Sequence, residues 1–303
     1  VGSGMSAATI PFMTLKSGDH VIIQSIMYWA IRKWLIGFAD QWGINVEFFD
    51  PGNISSLKKL IRPTETKLVW LESPANPVFS CIDIAEVSEI TRGTTARLCV
   101  DSTIATPILT RPIELGADLV MHSATKYLNG HSDVTAGVLV TARDDDWWKQ
   151  MRDIRTYHGK ISSPSDAWLL LRGLRTLHLR VKQSSESAMA IAKHFEHNSK
   201  IIKVLYPGLV SSLTHDVAKK QMMGGYGGML SIRFKGGQSY AVDVAAQLKI
   251  FKRATSFGGV ESLVEHRASI EGDGTPVPDD LLRFSVGIEC IDDLIEDLEQ
   301  AIR

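Results

Sequence analysis

Lys126 closes the run Ser123-Ala124-Thr125-Lys126, and the residues around it decide what its amine can do. The run follows Leu119-Val120-Met121, an apolar stretch that reads as a buried strand, so the lysine stands in a hydroxyl-lined turn at a strand's end. A lysine amine attacks an aldehyde only when neutral, and partial burial lowers its pKa toward that state. Read alone, Lys126 is one lysine among many, and a solvated surface position accounts for it. Its context points to a carbonyl chemistry instead.

Asp101 ends the run Leu98-Cys99-Val100, and the carboxyl ends of strands are where open parallel sheets hold ligands. A carboxylate there can keep a heterocyclic nitrogen protonated; the bland alternative is a turn or helix-capping residue ahead of Pro107. Ser123 and Thr125 offer hydroxyls to a phosphate, and Ser3-Gly4-Met5-Ser6 opens a helix whose unpaired N–H groups attract anions. Tyr28 follows the strand His20-Val21-Ile22-Ile23 and begins an aromatic-rich helix, so its ring can lie over a flat heterocycle or pack on the core. Lysine, aspartate, hydroxyls and aromatic ring together meet the needs of pyridoxal 5'-phosphate (PLP), an electron sink that requires a protonated ring nitrogen.

At this point the chain resembles the Cys/Met-metabolism family of PLP enzymes, the cystathionine gamma-synthase and gamma-lyase group, over nearly all of its 303 residues. The likeness is carried by Val100-Asp101-Ser102-Thr103-Ile104-Ala105-Thr106-Pro107, Arg111-Pro112, Leu115-Gly116-Ala117-Asp118, and His122-Ser123-Ala124-Thr125-Lys126-Tyr127-Leu128-Asn129-Gly130-His131-Ser132-Asp133. Further matches are Glu72-Ser73-Pro74-Ala75-Asn76-Pro77, Ser256-Phe257-Gly258-Gly259-Val260-Glu261-Ser262-Leu263 and Leu282-Arg283-Phe284-Ser285-Val286-Gly287-Ile288-Glu289. The resemblance implies Lys126 as the residue that bonds the cofactor aldehyde, with Tyr28 as a second catalytic residue that stacks on the ring. It implies Asp101 beside the pyridine nitrogen, Thr103 beside the ring, and phosphate contacts from Gly4, Met5, Ser123 and Thr125. Asn76, Ser256 and Arg283 are implied on the substrate side; a guanidinium fork suits an α-carboxylate, while a surface arginine on an edge strand is the plain alternative.

The implied fold is α/β, the PLP-dependent transferase fold type I (aspartate aminotransferase-like), with a mostly parallel sheet domain and a smaller C-terminal α+β domain. The sequence pattern agrees. Short β-branched runs at His20-Ile23, Val46-Phe49, Leu68-Leu71, Leu98-Val100, Leu119-Met121 and Val138-Val140 alternate with stretches of helical length. A helical region begins near Ser165 and is expected to continue past His197, bridging to a second domain that holds Met229-Leu230-Ser231-Ile232, the Arg283 strand and a final helix. The boundary is expected near residue 180, giving a cofactor-binding domain over 1-180 and a small domain over 181-303. The start at Val1-Gly2-Ser3-Gly4 lacks a methionine and reads as an N-terminal truncation. In the family the preceding segment carries a Tyr-x-Arg motif that reaches a neighbouring subunit's phosphate, so a homodimer or homotetramer with shared sites is expected.

Net charge of −1, with 44% hydrophobic and 22% charged residues, gives no sign of nucleic-acid binding and suits a globular enzyme. Three widely spaced cysteines, Cys81, Cys99 and Cys290, argue against a disulfide framework and for a reducing, cytoplasmic setting. No apolar run is long enough for a membrane span. His122, His131 and Asp133 match no standard metal spacing, and Gly224-Gly225-Tyr226-Gly227-Gly228 lacks the lysine and helix of a phosphate loop; both are read as structural, and no metal is expected.

The resemblance implies an amino-acid substrate and chemistry at the γ-carbon of a sulfur amino acid or activated homoserine, of gamma-synthase or gamma-lyase type. Cystathionine beta-lyase and O-acyl-homoserine sulfhydrylase remain alternatives, as do a noncatalytic oligomeric homologue and an aminotransferase. Departures from the family pattern include Ala30 where methionine gamma-lyases carry cysteine, Thr255 where γ-acting members often carry glutamate, and Phe257 where beta-lyases often carry tryptophan. Arg267 stands where proline is usual, and the stretch from His266 to Asp280 is shorter than the family's. A cation at Arg267 could favour a second substrate carboxylate or simply point to solvent.

Overall fold

Six short strands of the first half pair edge to edge: β1 (His20–Gln24), β2 (Asn45–Phe49), β3 (Thr66–Glu72), β4 (Arg97–Asp101), β5 (Leu119–Ser123) and β6 (Gly137–Thr141), in the order β2-β1-β3-β4-β5-β6. Every pair is parallel except β5 with β6. The computed structural model describes residues 1–272 and 277–303. Helices α1 (Gly4–Phe12), α2 (Trp29–Trp42), α3 (Ile54–Leu60), α4 (Ile84–Thr91), α5 (Thr106–Leu109) and α6 (Asp146–Tyr157) connect and flank these strands.

Side chains alternate across a strand, so a sheet covered on both faces needs two apolar sets. Val21, Ile23, Trp70 and Cys99 pack with Phe12 of α1, Leu35 of α2 and Met151 of α6. Ile22, Val69, Leu71 and Val100, one residue out of step, pack with Leu57 of α3 and Val87 of α4. This double burial holds the strand ends in register: Glu72 of β3 lies directly beside Asp101 of β4.

The second half begins with α7 (Pro164–Leu174) and α8 (Leu177–Phe195), followed by β7 (Ile201–Leu205), α9 (His215–Gln221), β8 (Met229–Phe234), α10 (Gly237–Gln247), β9 (Lys252–Arg253), β10 (Leu263–His266), α11 (Arg267–Glu271), β11 (Leu281–Ser285) and α12 (Ile291–Ala301). Its strands form a five-stranded sheet, β7-β8-β11-β10-β9, whose core is covered by α8, α10 and α12. The helical region expected to begin near Ser165 and continue past His197 is two helices, the second ending at Phe195. At the break the backbone pairing tightens to i→i+3, with Arg175 N–H donating to the Arg172 carbonyl and Thr176 N–H to the Gly173 carbonyl at 3.2 Å each, and the Gly173 carbonyl also accepts from Arg180 Nη2 at 2.7 Å. Residues 273–276, within the stretch expected to be shortened, lie outside the described residues.

Candidate active site

The carboxyl ends of β3, β4 and β5 open on a cavity of about 390 Å3 lined by Glu72, Asp101, Ser123, Lys126, Tyr28 and Arg283 among others. Lys126 lies in the turn after β5, where Asn129 N–H donates to the Ala124 carbonyl and Gly130 N–H to the Lys126 carbonyl. Its Nζ donates to Ser256 Oγ at 3.1 Å and sits 4.9 Å from the centre of the Phe257 ring. Burial first, then the Arg283 guanidinium, brings the amine down to about 8, against the partial opposition of Glu265. A useful fraction is therefore neutral near physiological pH.

An anion cradle lies across the cavity at the start of α1. Of the first four helix N–H groups, Ser6 donates to the Ser3 side chain at 2.9 Å and Ala7 to the Ser3 carbonyl at 3.1 Å. The Gly4 and Met5 N–H groups have no acceptor among the described residues, an arrangement that suits an anion. A side chain at Gly4 would stand 2.5 Å from Ser123 Oγ, so only glycine lets the helix end approach that hydroxyl. The Thr125 hydroxyl is differently engaged, donating to the Ala136 carbonyl at 3.2 Å and accepting from Ala136 N–H at 3.0 Å.

Asp101 is buried, and its Oδ1 accepts from Thr103 N–H at 3.0 Å and from the Thr103 hydroxyl at 2.5 Å. The same Thr103 oxygen accepts from Ser123 N–H at 2.8 Å, so Thr103 fixes Asp101 relative to β5. Oδ2 has no hydrogen bond among the described residues. Burial raises the Asp101 carboxyl, and burial with the neighbouring Asp101 raises Glu72 further. Neither of these closely packed carboxyl groups has an ion-pair partner among the described residues, and of the charges nearby only the more distant Arg267 opposes the rise at Glu72. A protonated ring nitrogen facing Oδ2, a phosphate at Gly4 and Met5, and an aldehyde at Lys126 would meet these demands together, so the residues present suit PLP.

A further wall of the cavity comes from the second sheet. Arg283 is on β11, the central strand between β8 and β10, and is only 2% exposed, which removes the edge-strand alternative. Its Nη2 meets Glu265 at 2.5 Å and the Thr255 and Ser256 carbonyls at 2.8 and 3.0 Å, while Nη1 reaches Asn76 Oδ1 at 3.4 Å. Asn76 in turn donates its N–H to Glu72 Oε1 at 2.8 Å, and Tyr28 N–H donates to Oε2 at 2.7 Å. One buried carboxyl thus sets both the Asn76 loop and the start of α2. Tyr28, half-exposed at that start, lines the cavity.

All eleven residues expected at the site gather here: Gly4, Met5, Tyr28, Asn76, Asp101, Thr103, Ser123, Thr125, Lys126 and Arg283, with Ser256 joined through Lys126. Three further groups had no role assigned from sequence. Glu72 was legible only as part of a loop motif. Glu265 faces Arg283 across the β10–β11 pair, a cue that depends on strand register. Arg180, buried on α8, donates to the Tyr127 carbonyl at 2.8 Å and braces the turn after Lys126. Arg267 does not point to solvent; it is buried and lines the cavity. His131 and Asp133 serve the loop, bonding to the Asn129 carbonyl and side chain at 2.8 Å each, and buried His122 is held neutral, its pKa pushed down to about 4.

Comparison with known proteins gives the same direction. Residues 1–303 match the family described as Cys/Met metabolism PLP-dependent enzyme. Cystathionine gamma-synthase of Mycobacterium bovis is 40% identical over 306 residues, covering 99% of this chain and 78% of that protein. Cystathionine beta-lyase of Coxiella burnetii is 38% identical over 309 residues, covering 99% and 79%. The crystal structure of metB from Corynebacterium glutamicum superposes with a TM-score of 0.96 at 40% identity, covering 99% of this chain and 79% of that one.

Proposed function

The chain belongs to the Cys/Met metabolism family of PLP-dependent enzymes, and from that premise we propose that it acts at the γ-carbon of cystathionine or an activated homoserine. It is a PLP-dependent enzyme of sulfur amino-acid metabolism with the type I fold. The bound cofactor supplies the electron sink that makes the substrate's α-proton acidic. Asp101, fixed by Thr103, would hold the proton on the ring nitrogen of the bound cofactor. Gly4, Met5 and Ser123 hold the phosphate, and Arg283 with Asn76 orients the α-carboxylate, so that the α-carbon faces Lys126 Nζ. Tyr28, which lines the cavity, would lie against the ring of the bound cofactor and exclude water from it.

The γ reading is supported by the cystathionine gamma-synthase relatives. Elimination at the γ-carbon needs two proton movements, at Cα and then at Cβ, and the Lys126 amine, its pKa lowered to about 8, can serve both. Ser256 and Phe257 hold that amine on the substrate side without an ion pair to neutralise it. Free Cys81, Cys99 and Cys290 suit a reducing compartment, and we assign the cytoplasm. Among the described residues no helix is long and apolar enough to cross a membrane. Exposed Trp168, Leu171, Leu174 and Leu179 along α7 and α8 support association into a homodimer or homotetramer.

Product analysis tests the reading. With cystathionine, γ-elimination releases cysteine, 2-oxobutyrate and ammonia; β-elimination releases homocysteine, pyruvate and ammonia. With O-succinylhomoserine and cysteine, γ-replacement gives cystathionine and succinate. Pyruvate as the sole oxo acid, with no γ-replacement, would favour the β-lyase alternative that the Coxiella relative's name raises.

A further inference from the structure

We propose that Glu72 is a positioning residue whose single carboxyl ties Tyr28, against the cofactor ring, to Asn76, in the α-carboxylate grip, so that filling the grip also fixes the ring cover. The assignment rests on the reading of this cavity as a PLP and amino-acid site. Glu72 ends β3, is 5% exposed and lines the cavity. Its two oxygens serve different segments. Oε1 accepts from Asn76 N–H at 2.8 Å and Oε2 from Tyr28 N–H at 2.7 Å. Asn76 in turn accepts at Oδ1 from Arg283 Nη1 at 3.4 Å. Three hydrogen bonds therefore run unbroken from the guanidinium on the substrate side to the residue beside the ring.

The placement is costly. Glu72 stands beside Asp101 across the β3–β4 pair, and burial first, then the Asp101 charge, raise its carboxyl to about 8. The Asn76 and Tyr28 N–H bonds and the Arg267 charge offset only part of this rise. A glutamine would avoid the repulsion, but an amide offers one oxygen where the two N–H groups meet two, and its NH2 would face a donor. The acid is thus the form of this side chain that accepts from both segments. At the far end of the link, α2 starts after Tyr28 without a side-chain cap, and Tyr28 itself is half-exposed, so its bond to Glu72 carries weight there. A ligand carboxylate that draws Arg283 and Asn76 together acts on the same carboxyl that holds Tyr28, and by linkage the coupling works in both directions.

Two reagents isolate the link: aminooxyacetate, which carries a carboxylate, and methoxyamine, which does not. Each captures the cofactor's aldehyde carbon through its aminooxy nitrogen and frees Lys126, and loss of the loaded protein's absorption band gives the rate. Hydrogen exchange at the Tyr28 amide is then followed in each adduct by mass spectrometry with fragmentation. Aminooxyacetate is expected to react about tenfold faster or more, the weight of a charged hydrogen-bonded contact. Its adduct should exchange the Tyr28 amide roughly fivefold more slowly than the methoxyamine adduct. In Glu72→Gln the reagent preference should remain, because Arg283 is untouched, while the Tyr28 difference falls to within about twofold. A merely structural Glu72 would lower the variant's melting temperature and leave the Tyr28 difference in place. Wild-type Tyr28 exchange that ignores the carboxylate overturns the link even if the variant does not fold, as does a difference that persists in Glu72→Gln. Equal reagent rates in wild type defeat the amino-acid reading of the site and the proposal with it, whereas a kept preference with an indifferent Tyr28 defeats the link alone.

Discussion

Burial and the Arg283 guanidinium bring the Lys126 amine from 10.5 down to about 8, and this sets a pH dependence. The protonated amine cannot attack an aldehyde, so PLP uptake by the apoprotein should speed about tenfold per pH unit below 8 and level off above it. Stopped-flow absorbance from pH 6.5 to 9.5 measures this, and a rate still climbing about tenfold per unit at pH 9.5 would mean an ordinary exposed lysine. Asp101 has a different role: it lines the cavity with Oδ1 committed to Thr103 and Oδ2 without a hydrogen bond among the described residues. Asp101→Asn should still take up cofactor but lose about 100-fold or more in turnover, the usual scale for removing one preorganised charge. Undiminished turnover in steady-state assays would reduce Asp101 to a turn residue.

Elements place these groups by simple devices. Parallel strands of matched length carry Glu72, Asp101 and Ser123 to one edge, and the capped start of α1 brings two N–H groups opposite. The turn after Lys126 depends on Gly130, where φ is +76° and a side chain would stand 1.8 Å from Arg180 Nη1. Gly224, at φ +72°, has nothing within 4 Å of the same position. Gly224→Ala should cost about 1 kcal/mol of backbone strain, whereas Gly130→Ala should cost at least about 2 kcal/mol more and slow PLP uptake. Thermal melts of both variants decide this; equal losses would mean that Arg180 does not brace the turn. The strands were legible because their β-branched runs are short and bounded, and Lys126, Asp101 and Arg283 because their motifs are long. The break before α8 was not, since its tightened i→i+3 pairing and the Arg180 bond to a carbonyl from seven residues earlier show only in the folded chain. Nor could the sequence reveal that β11 is central or that Glu265 opposes Arg283, because strand order and register belong to the folded sheet.

At the scale of the molecule, the cavity is walled by both halves of the chain: Lys126 bonds to Ser256, and Arg283 to Asn76. PLP at about 100 times its dissociation constant should add about 2.7 kcal/mol to stability by linkage, visible as a higher melting temperature that tracks cofactor concentration. A melting temperature indifferent to PLP would place the cofactor elsewhere or nowhere. The central claim is that the Lys126 amine in this cavity is the one that holds PLP. Borohydride reduction of the loaded protein followed by peptide mapping tests it most directly. The account predicts the phosphopyridoxyl group on the peptide containing Lys126; its recovery on any other lysine, with Lys126 unmodified, would contradict it.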